Sequence, residues 1–535
     1  MMVEIAALFC YNGDMETREK STAEWRLLLD KKEDEITTLH RQVDWLTQQL
    51  HLMRGQRFGA SSEQTKALVD TAQVSLFNET EIEAKEYAPE PKWEQIAYRR
   101  KKQAGKRELD LSGLPVEQLV HELPEDEQFC PLCGGSLHAC GHTVLRRELS
   151  YVPAQYKVVE HVQTAYSCRC CERTGPCVPM KKSKVPAPLV PGSGLASPSL
   201  LAHIVNSKYV LALPLYRQEQ ELKRLGLPLS RQTMANWLVY IHGRYLNGFC
   251  GALRQELLGN EILHADETTM SVLREDGRQA RQKSYIWVYG TSGDTAHPVI
   301  LYDYQPSRAG VCASNFLKGF SGLLHTDGYE AYHCKLPEEI TVVGCWAHMR
   351  RKFSDALKVL PTDIRERSPA QTGLTFCNEL FHLEEAYAKQ GFSFQKRHVA
   401  RIEASMPVAD AFFVWAKEKQ QNNPVPKSVF GAALTYALHQ REWLMHVFLD
   451  GRLELSNNRA ERAVRPFAVG RKNWLFSNTP RGADTNAAFY SIVETAKANG
   501  LRPFQYLNFL LERLPCGVLP QQCLPWGAEA LALCK

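Results

Sequence analysis

The stretch EILHADETTMSVL, Glu261 to Leu273, decides the fold because it opens a series of short β-like runs. KSYIWVYG (from Lys283), HPVILYDY (from His297), SGLLHTDGYEAY (from Ser321) and ITVVGCWAH (from Ile340) follow it. Residues 353 to 450 then read as mostly helical, up to FGAALTYALHQREWLMHVFL, and TNAAFYSIVETAKANG (from Thr485) reads as a further helix. Strands, a helical insertion and a closing helix predict a mixed-sheet α/β core in two sequence pieces, 256–353 and 451–510, around an insertion at 354–450 and before a tail at 511–535.

Two of these runs bring carboxylates to a sheet rim. Asp266 sits in the first run and Asp327 closes a later one. Glu267 would point to the opposite face of an extended strand, so one of Asp266 and Glu267 can serve a shared site. A third acid stands in LSNNRAERAVRPFAVGRKNW, Leu455 to Trp474, where Glu461 is surrounded by Arg459, Arg462, Arg465, Arg471 and Lys472. Locally, Glu461 can complete a capping box with Asn458, and Pro466 is expected to end or kink the helix. Alternatively Glu461 completes a triad from the helical side; Asp327 can equally belong to an Asp-Gly turn and Asp266 can cap one, and spacing alone does not choose. His264 and His325 each precede an aspartate by two residues, which places each on its aspartate's face. Two ordinary core histidines is the simpler reading, and orienting the carboxylates or water the sharper one.

Upstream, LPLYRQEQELKRLG and SRQTMANWLVYI flank the turn GLPLS as in a helix-turn-helix, within a helical segment at 185–255 that follows the Pro/Gly boundary VPAPLVPGSG. Met234, Trp237, Leu238 and Ile241 form its inward stripe, leaving Arg231, Gln232 and Asn236 outward to read base edges. Before it, Cys130 and Cys133 in CPLCGG and Cys168 and Cys171 in CRCC form two CxxC pairs around RELSYVPAQYKVVEHVQTAYS, expected as a β-hairpin. Four thiolates brought together in this way hold one structural zinc ion in a zinc ribbon-like module, 111–184. Cys170, Cys140, Cys177 and His142 leave the ligand choice open. Residues 55–110, acidic and then basic, read as a linker, and Leu29, Ile36, Val43 and Leu50 with Leu39, Leu46 and Met53 predict a short coiled coil within 1–54.

Bulk properties fit this plan. Of 535 residues, 44% are apolar and 23% charged, and no run approaches the roughly 18 apolar residues of a membrane span. With MMVEIAALFC a poor signal peptide, a cytoplasmic, nucleoid-associated protein whose 16 cysteines are mostly reduced thiols is expected. The net charge of +5 is small, but bases gather in YRRKKQAGKR, in HMRRK with Arg350 and Arg351, and around Glu461, which points to a polyanionic partner.

HADETT, HTDGYEAY, GCWAHMRRKF, LSNNRAERAVRPFAVGRKNWLF, TPRGA and ETAKANG together resemble the transposases of the insertion sequence sixty-six family, a bacterial group of DDE transposases. The resemblance extends over nearly the whole chain, through RFGASSE after the coiled coil, both CxxC pairs, PLVPGSGLASPSLLAHIVNSKY and LPW. It implies an RNase H-like catalytic core in which Asp266, Asp327 and Glu461 are the catalytic carboxylates, and it favours Asp266 over Glu267. Three such groups can hold two Mg²⁺ or Mn²⁺ ions about 3.5 to 4 Å apart. Arg350, Arg351, Arg462, Arg465, Arg471 and Lys472 are then expected on DNA phosphates. The implied reaction is strand cleavage at the element's terminal inverted repeats and transfer into target DNA by a homo-oligomer, at least a dimer in the DNA complex, with accessory proteins encoded by the same element as further partners. Two rival readings are a catalytically inactive zinc and helix-turn-helix regulator, and an RNase H-type nuclease acting on RNA hybrids.

Overall fold

The computed structural model describes residues 31–32, 156–163, 165–167, 180–182, 185–334, 336–422 and 427–535. The chain divides into one unit of 63–185 and a second comprising 1–62 with 186–535. Of the expected coiled coil only Lys31 and Lys32 are described, both helical and exposed, and the four zinc-ligand candidates Cys130, Cys133, Cys168 and Cys171 lie outside the described residues.

In the first unit, β1 (Ala165–Ser167) pairs antiparallel with β2 (Met180–Lys182), Tyr166 opposite Lys181. Residues 156–163 carry no strand. The expected hairpin within Arg147–Ser167 is therefore corrected in its described part: the end of that run pairs downstream. Side-chain alternation marks a strand but does not name its partner.

The larger unit begins with helices. In α1 (Pro198–Tyr209), the Ser197 hydroxyl accepts from the Leu200 N–H and Pro198 takes the first helical position, where its missing N–H costs nothing. After α2 (Leu215–Arg224), Ser230 caps α3 (Arg231–Ile241) through the Thr233 N–H, and Met234, Trp237, Leu238 and Ile241 are buried as the spacing predicts. A π-helical turn, His242–Leu246, leads into α4 (Asn247–Leu258).

The sheet contains β3 (Ile262–Ser271), β4 (Lys283–Thr291), β5 (Ile300–Gln305), β6 (Gly322–His325) and β7 (Ile340–Val343), in the order β5-β4-β3-β6-β7. β4 runs antiparallel to both neighbours, whereas β3, β6 and β7 are mutually parallel. Helix α5 (Gly310–Phe316) connects β5 to β6, α6 (Ala331–Cys334) follows β6, and α7 (Trp346–Lys358) leaves β7. The expected insertion is helical, as α8 (Pro369–Lys389), α9 (Phe394–Ala400), α10 (Met406–Gln421) and α11 (Val429–His439). Phe412, Phe413, Cys377 and Leu434 share a core with Trp346, Met349 and Phe353 of α7.

The chain returns to the sheet as α12 (Asn458–Trp474), α13 (Pro480–Ala498) and α14 (Pro503–Arg513). On the outer edge of β5, the Ile300 and Tyr302 N–H groups donate to the hydroxyls of Thr495 (3.0 Å) and Ser491 (2.8 Å) of α13. The edge that would recruit another chain is closed by side chains. The segment expected as a tail packs as well: Cys523, Leu524, Ala530 and Cys534 are buried in the main core, and the Tyr506 hydroxyl donates to the Cys523 carbonyl at 2.7 Å.

Candidate active site

Parallel pairing sets β3 and β6 level, with His264 opposite His325. Asp266 and Asp327 each follow two residues later and meet at the same end of the sheet. Asp266, Glu267 and Asp327 offer oxygens that all lie within 4.8 Å of one another. The opposite faces of β3 therefore do not keep Asp266 and Glu267 apart from a shared neighbour. Pairing with β6 stops at His325, so Asp327 stands in a loop, free of either face, where the longer Glu267 side chain reaches it.

Glu267 nevertheless has its own partners. Its carboxylate accepts from Arg308, through Nε at 2.8 Å and through Nη2, and from the Tyr332 hydroxyl at 2.8 Å. The Arg308 guanidinium lies 3.6 Å from the centroid of the Tyr329 ring. Both tyrosines belong to the run that follows Asp327, so Glu267 ties that loop to β3. Among the described residues, the donor to the Asp266 carboxylate is the Glu267 N–H, on Oδ1 at 2.8 Å. Burial pushes the Asp266 carboxyl well above its ordinary range, and the charges of Glu267, Asp327 and Glu461 add to the effect. Glu267 is raised by burial and by Asp327, against the pull of Arg308. Desolvated like charges this close are relieved by a cation, so the donor set fits divalent ions that prefer oxygen.

Glu461 approaches from the first turn of α12. Neither half of the expected capping box forms there: Asn458 is already helical, and the capping position belongs to Asn457, whose side chain bonds elsewhere. Glu461 lies outside the compact oxygen group, yet its charge reaches Asp266. Among the described residues its buried Oε1 finds no hydrogen bond and lies 3.7 Å from His348 Nε2, and its Oε2 is 3.8 Å from Arg351 Nη2. A buried carboxylate oxygen left without a donor suits a metal ligand better than a cap.

The two histidines behind the aspartates are buried and stacked, ring centroids 5.0 Å apart and 9° from parallel. Burial lowers His264 to about 4 and His325 to about 3, so both are neutral at physiological pH. His348 is also lowered by burial, with Glu461 opposing.

The expected DNA-binding residues divide. Arg231, Gln232 and Asn236 are exposed on α3, although Gln232 donates to Asn236 (3.0 Å) and the Arg231 guanidinium lies 5.5 Å from the Tyr216 ring centroid. Arg351, Arg462, Arg465 and Lys472 are exposed, whereas Arg350 sits over the Phe381 ring. Arg471 is half-buried and its guanidinium docks on β3, donating to Thr268 Oγ1 (3.2 Å) and to the Thr269 carbonyl. Sequence reasoning missed Asn457, Arg308 and His348. For His348 a signal existed, since HMRR places it one helical turn before Arg351 and on the same face.

The model of the "Transposase IS66 family" matches residues 193–485, which contain all three carboxylates. The "zinc-finger binding domain of transposase IS66" matches 127–172, containing both cysteine pairs. The "IS66 C-terminal element" matches 491–526, and "Transposase C of IS166 homeodomain" matches 45–119, which includes the whole of the expected linker. Similar proteins include the uncharacterized proteins y4qI and y4hP of Sinorhizobium fredii. The first is 32% identical over 91% of this chain and 89% of its own length, the second 30% identical over 92% and 88%. The Drosophila P element transposase strand transfer complex superposes on 54% of this chain and 91% of its own, at 11% identity and a TM-score of 0.28.

Proposed function

The chain belongs to the IS66 family of transposases, and from that premise we propose that it cuts DNA at the ends of its element and joins the freed ends to target DNA. The observation that carries this reading is the convergence of Asp266 on β3 and Asp327 in the loop after β6, their oxygens within 4.8 Å, with the charge of Glu461 reaching Asp266 from α12. The strand order, with only the second strand of the sheet reversed, supports an RNase H-like core. Asp266, Asp327 and Glu461 would hold two Mg²⁺ or Mn²⁺ ions, which when bound activate the attacking oxygen and steady the leaving one. Glu267 is left out of that set because Arg308 and Tyr332 occupy its oxygens.

The remaining steps belong to side chains of this chain. Exposed Arg462 and Arg465 flank Glu461 on α12 and Arg351 approaches it from α7, which suits them to holding the phosphates beside the scissile bond. In cleavage, water loses a proton and attacks phosphorus as the P–O3′ bond breaks, the departing 3′-oxygen taking up a proton; in transfer, the freed 3′-hydroxyl loses its proton and attacks a target phosphate as the target's own P–O3′ bond breaks and its 3′-oxygen leaves. Arg231, Gln232 and Asn236 on α3 suit recognition of the terminal repeats, and the amino-terminal heptads suit assembly of at least a dimer.

The test is cleavage of a duplex carrying the element's end, with Mg²⁺. Glu461→Gln and Asp266→Asn should each lower the rate by at least about 10³-fold while leaving DNA affinity within a few fold, and combining them should add little, because the carboxylates act as one unit. Cleavage by Glu461→Gln at near the parent rate would remove Glu461 from the triad.

A further inference from the structure

Asn457 precedes α12, is fully buried, and does not cap the helix with its side chain. Its amide instead bridges to β3. Nδ2–H donates to the Ala265 carbonyl at 2.8 Å, and Oδ1 accepts from His264 Nδ1–H at 3.0 Å. Its own N–H donates to Cys345 Sγ (3.2 Å), the residue before α7, and its carbonyl accepts from the Glu461 N–H (3.2 Å). One residue therefore touches the strand of Asp266, the start of the helix bearing His348 and Arg351, and the turn bearing Glu461.

The bond to Ala265 has a particular meaning. In a parallel ladder alternate carbonyls face the same neighbour. The Leu323 N–H donates to the Glu261 carbonyl, so the carbonyls of Glu261, Leu263 and Ala265 all face β6. Continued pairing would bring the N–H of Asp327, two residues beyond His325, to Ala265. Pairing stops at His325, and Asn457 supplies that donor. Asp327 is thereby released from the sheet into its loop, while α12 is fastened where the strand pair ends. The segment just before Asn457 is held too: His325 Nε2–H donates to the Glu454 carbonyl (2.8 Å) and the Trp346 N–H to the Leu455 carbonyl (2.9 Å).

We propose that Asn457 is a positioning residue that sets the spacing of all three carboxylates, replacing a strand bond so that Asp327 can turn to Asp266 and holding Glu461 against both. The proposal rests on the reading of Glu461 as a ligand. Metal-site geometry must be held to within about 0.5 Å, and loss of a residue that orients ligands typically costs 10- to 100-fold in metal affinity.

The experiment measures Mn²⁺ affinity of the full chain without DNA, by electron paramagnetic resonance, together with thermal unfolding in chelator. Asn457→Ala is compared with the parent, with Glu461→Gln, and with Asn457→Leu, which keeps the volume but neither side-chain bond. Both Asn457 variants should weaken Mn²⁺ binding 10- to 100-fold in protein that is still folded at the temperature of measurement. Should the alanine variant fail to fold, the leucine variant decides. A lowered unfolding midpoint with parental Mn²⁺ affinity would make Asn457 a packing residue and overturn the proposal. Parental affinity in Glu461→Gln would instead sink the ligand role on which the proposal stands.

Discussion

Asp266 and Glu267 are neighbours with the same charge and opposite circumstances. Asp266 faces like charges with a backbone donor, the Glu267 N–H, whereas Glu267 is held by the Arg308 and Tyr332 side chains. Asp266→Asn removes a repulsive buried charge and should raise the unfolding midpoint of metal-free protein while abolishing cleavage. Glu267→Gln keeps an acceptor for Tyr332 but loses the ionic acceptor of Arg308, and should cost about 1 to 3 kcal/mol while leaving Mn²⁺ affinity within a few fold. Thermal unfolding in chelator paired with Mn²⁺ titration separates the two. A stable Glu267→Gln protein that no longer binds Mn²⁺ would make Glu267 the ligand.

At the scale of elements, α12 continues through Pro466 to Trp474, so of the two expected outcomes, an end or a kink, the proline does not end the helix. An interior proline costs about 3 kcal/mol. Ala460, Ala463, Phe467 and Gly470 lie on one buried face, and burial of a phenylalanine alone returns about 1.5 to 3 kcal/mol. The Tyr302 hydroxyl also donates to the Ala463 carbonyl at 2.5 Å, next to the turn where the proline removes a bond. Gly470 shows how tight the packing is, because a Cβ there would overlap the Tyr490 hydroxyl of α13. Gly470→Ala should destabilise by about 1 to 3 kcal/mol through overpacking, although alanine gains up to about 1 kcal/mol of helix propensity. Denaturant unfolding gives the sign, and a gain would show that Tyr490 moves aside.

At the scale of the molecule, α1 meets α13 through a buried polar knot. Lys208 Nζ donates to Asn486 Oδ1 (2.8 Å), which also accepts from the Tyr209 hydroxyl (2.7 Å), and Asn486 Nδ2 donates to Ser477 Oγ (2.8 Å). Burial lowers the Lys208 amine from 10.5 to about 7. Between these values the unfolded chain binds the extra proton, so this group's contribution to stability should rise as pH increases from about 7 to 10.5 and level off on either side. Lys208→Met should flatten that part of the stability–pH curve; an unchanged slope would mean that the amine stays charged when folded. In the other unit, zinc bound by Cys130, Cys133, Cys168 and Cys171 is expected at about one ion per chain, with Cys133→Ser or chelation unfolding the region around them and leaving the sheet intact. Metal analysis and limited proteolysis check this, and folded protein without zinc would rule it out.

Side-chain period and spacing by themselves determined a good deal here: the strand runs, the helical insertion, the inward stripe of α3, and the twin His-x-Asp spacing that sets each aspartate two residues beyond its histidine. Those are local properties, set by a repeat of two or of 3.6 residues and by what one strand can present. Which hydrogen-bonding partner a group finds is not local. Asn457 could cap a helix or finish a strand ladder, Glu267 could ligate or be tied down, Arg471 could reach solvent or dock on β3, and Pro466 could end a helix or be carried through it. In each case two satisfactory arrangements exist for the isolated segment. Only the packing of elements far apart in sequence decides between them, because a buried polar group takes the partner that the folded chain brings within reach.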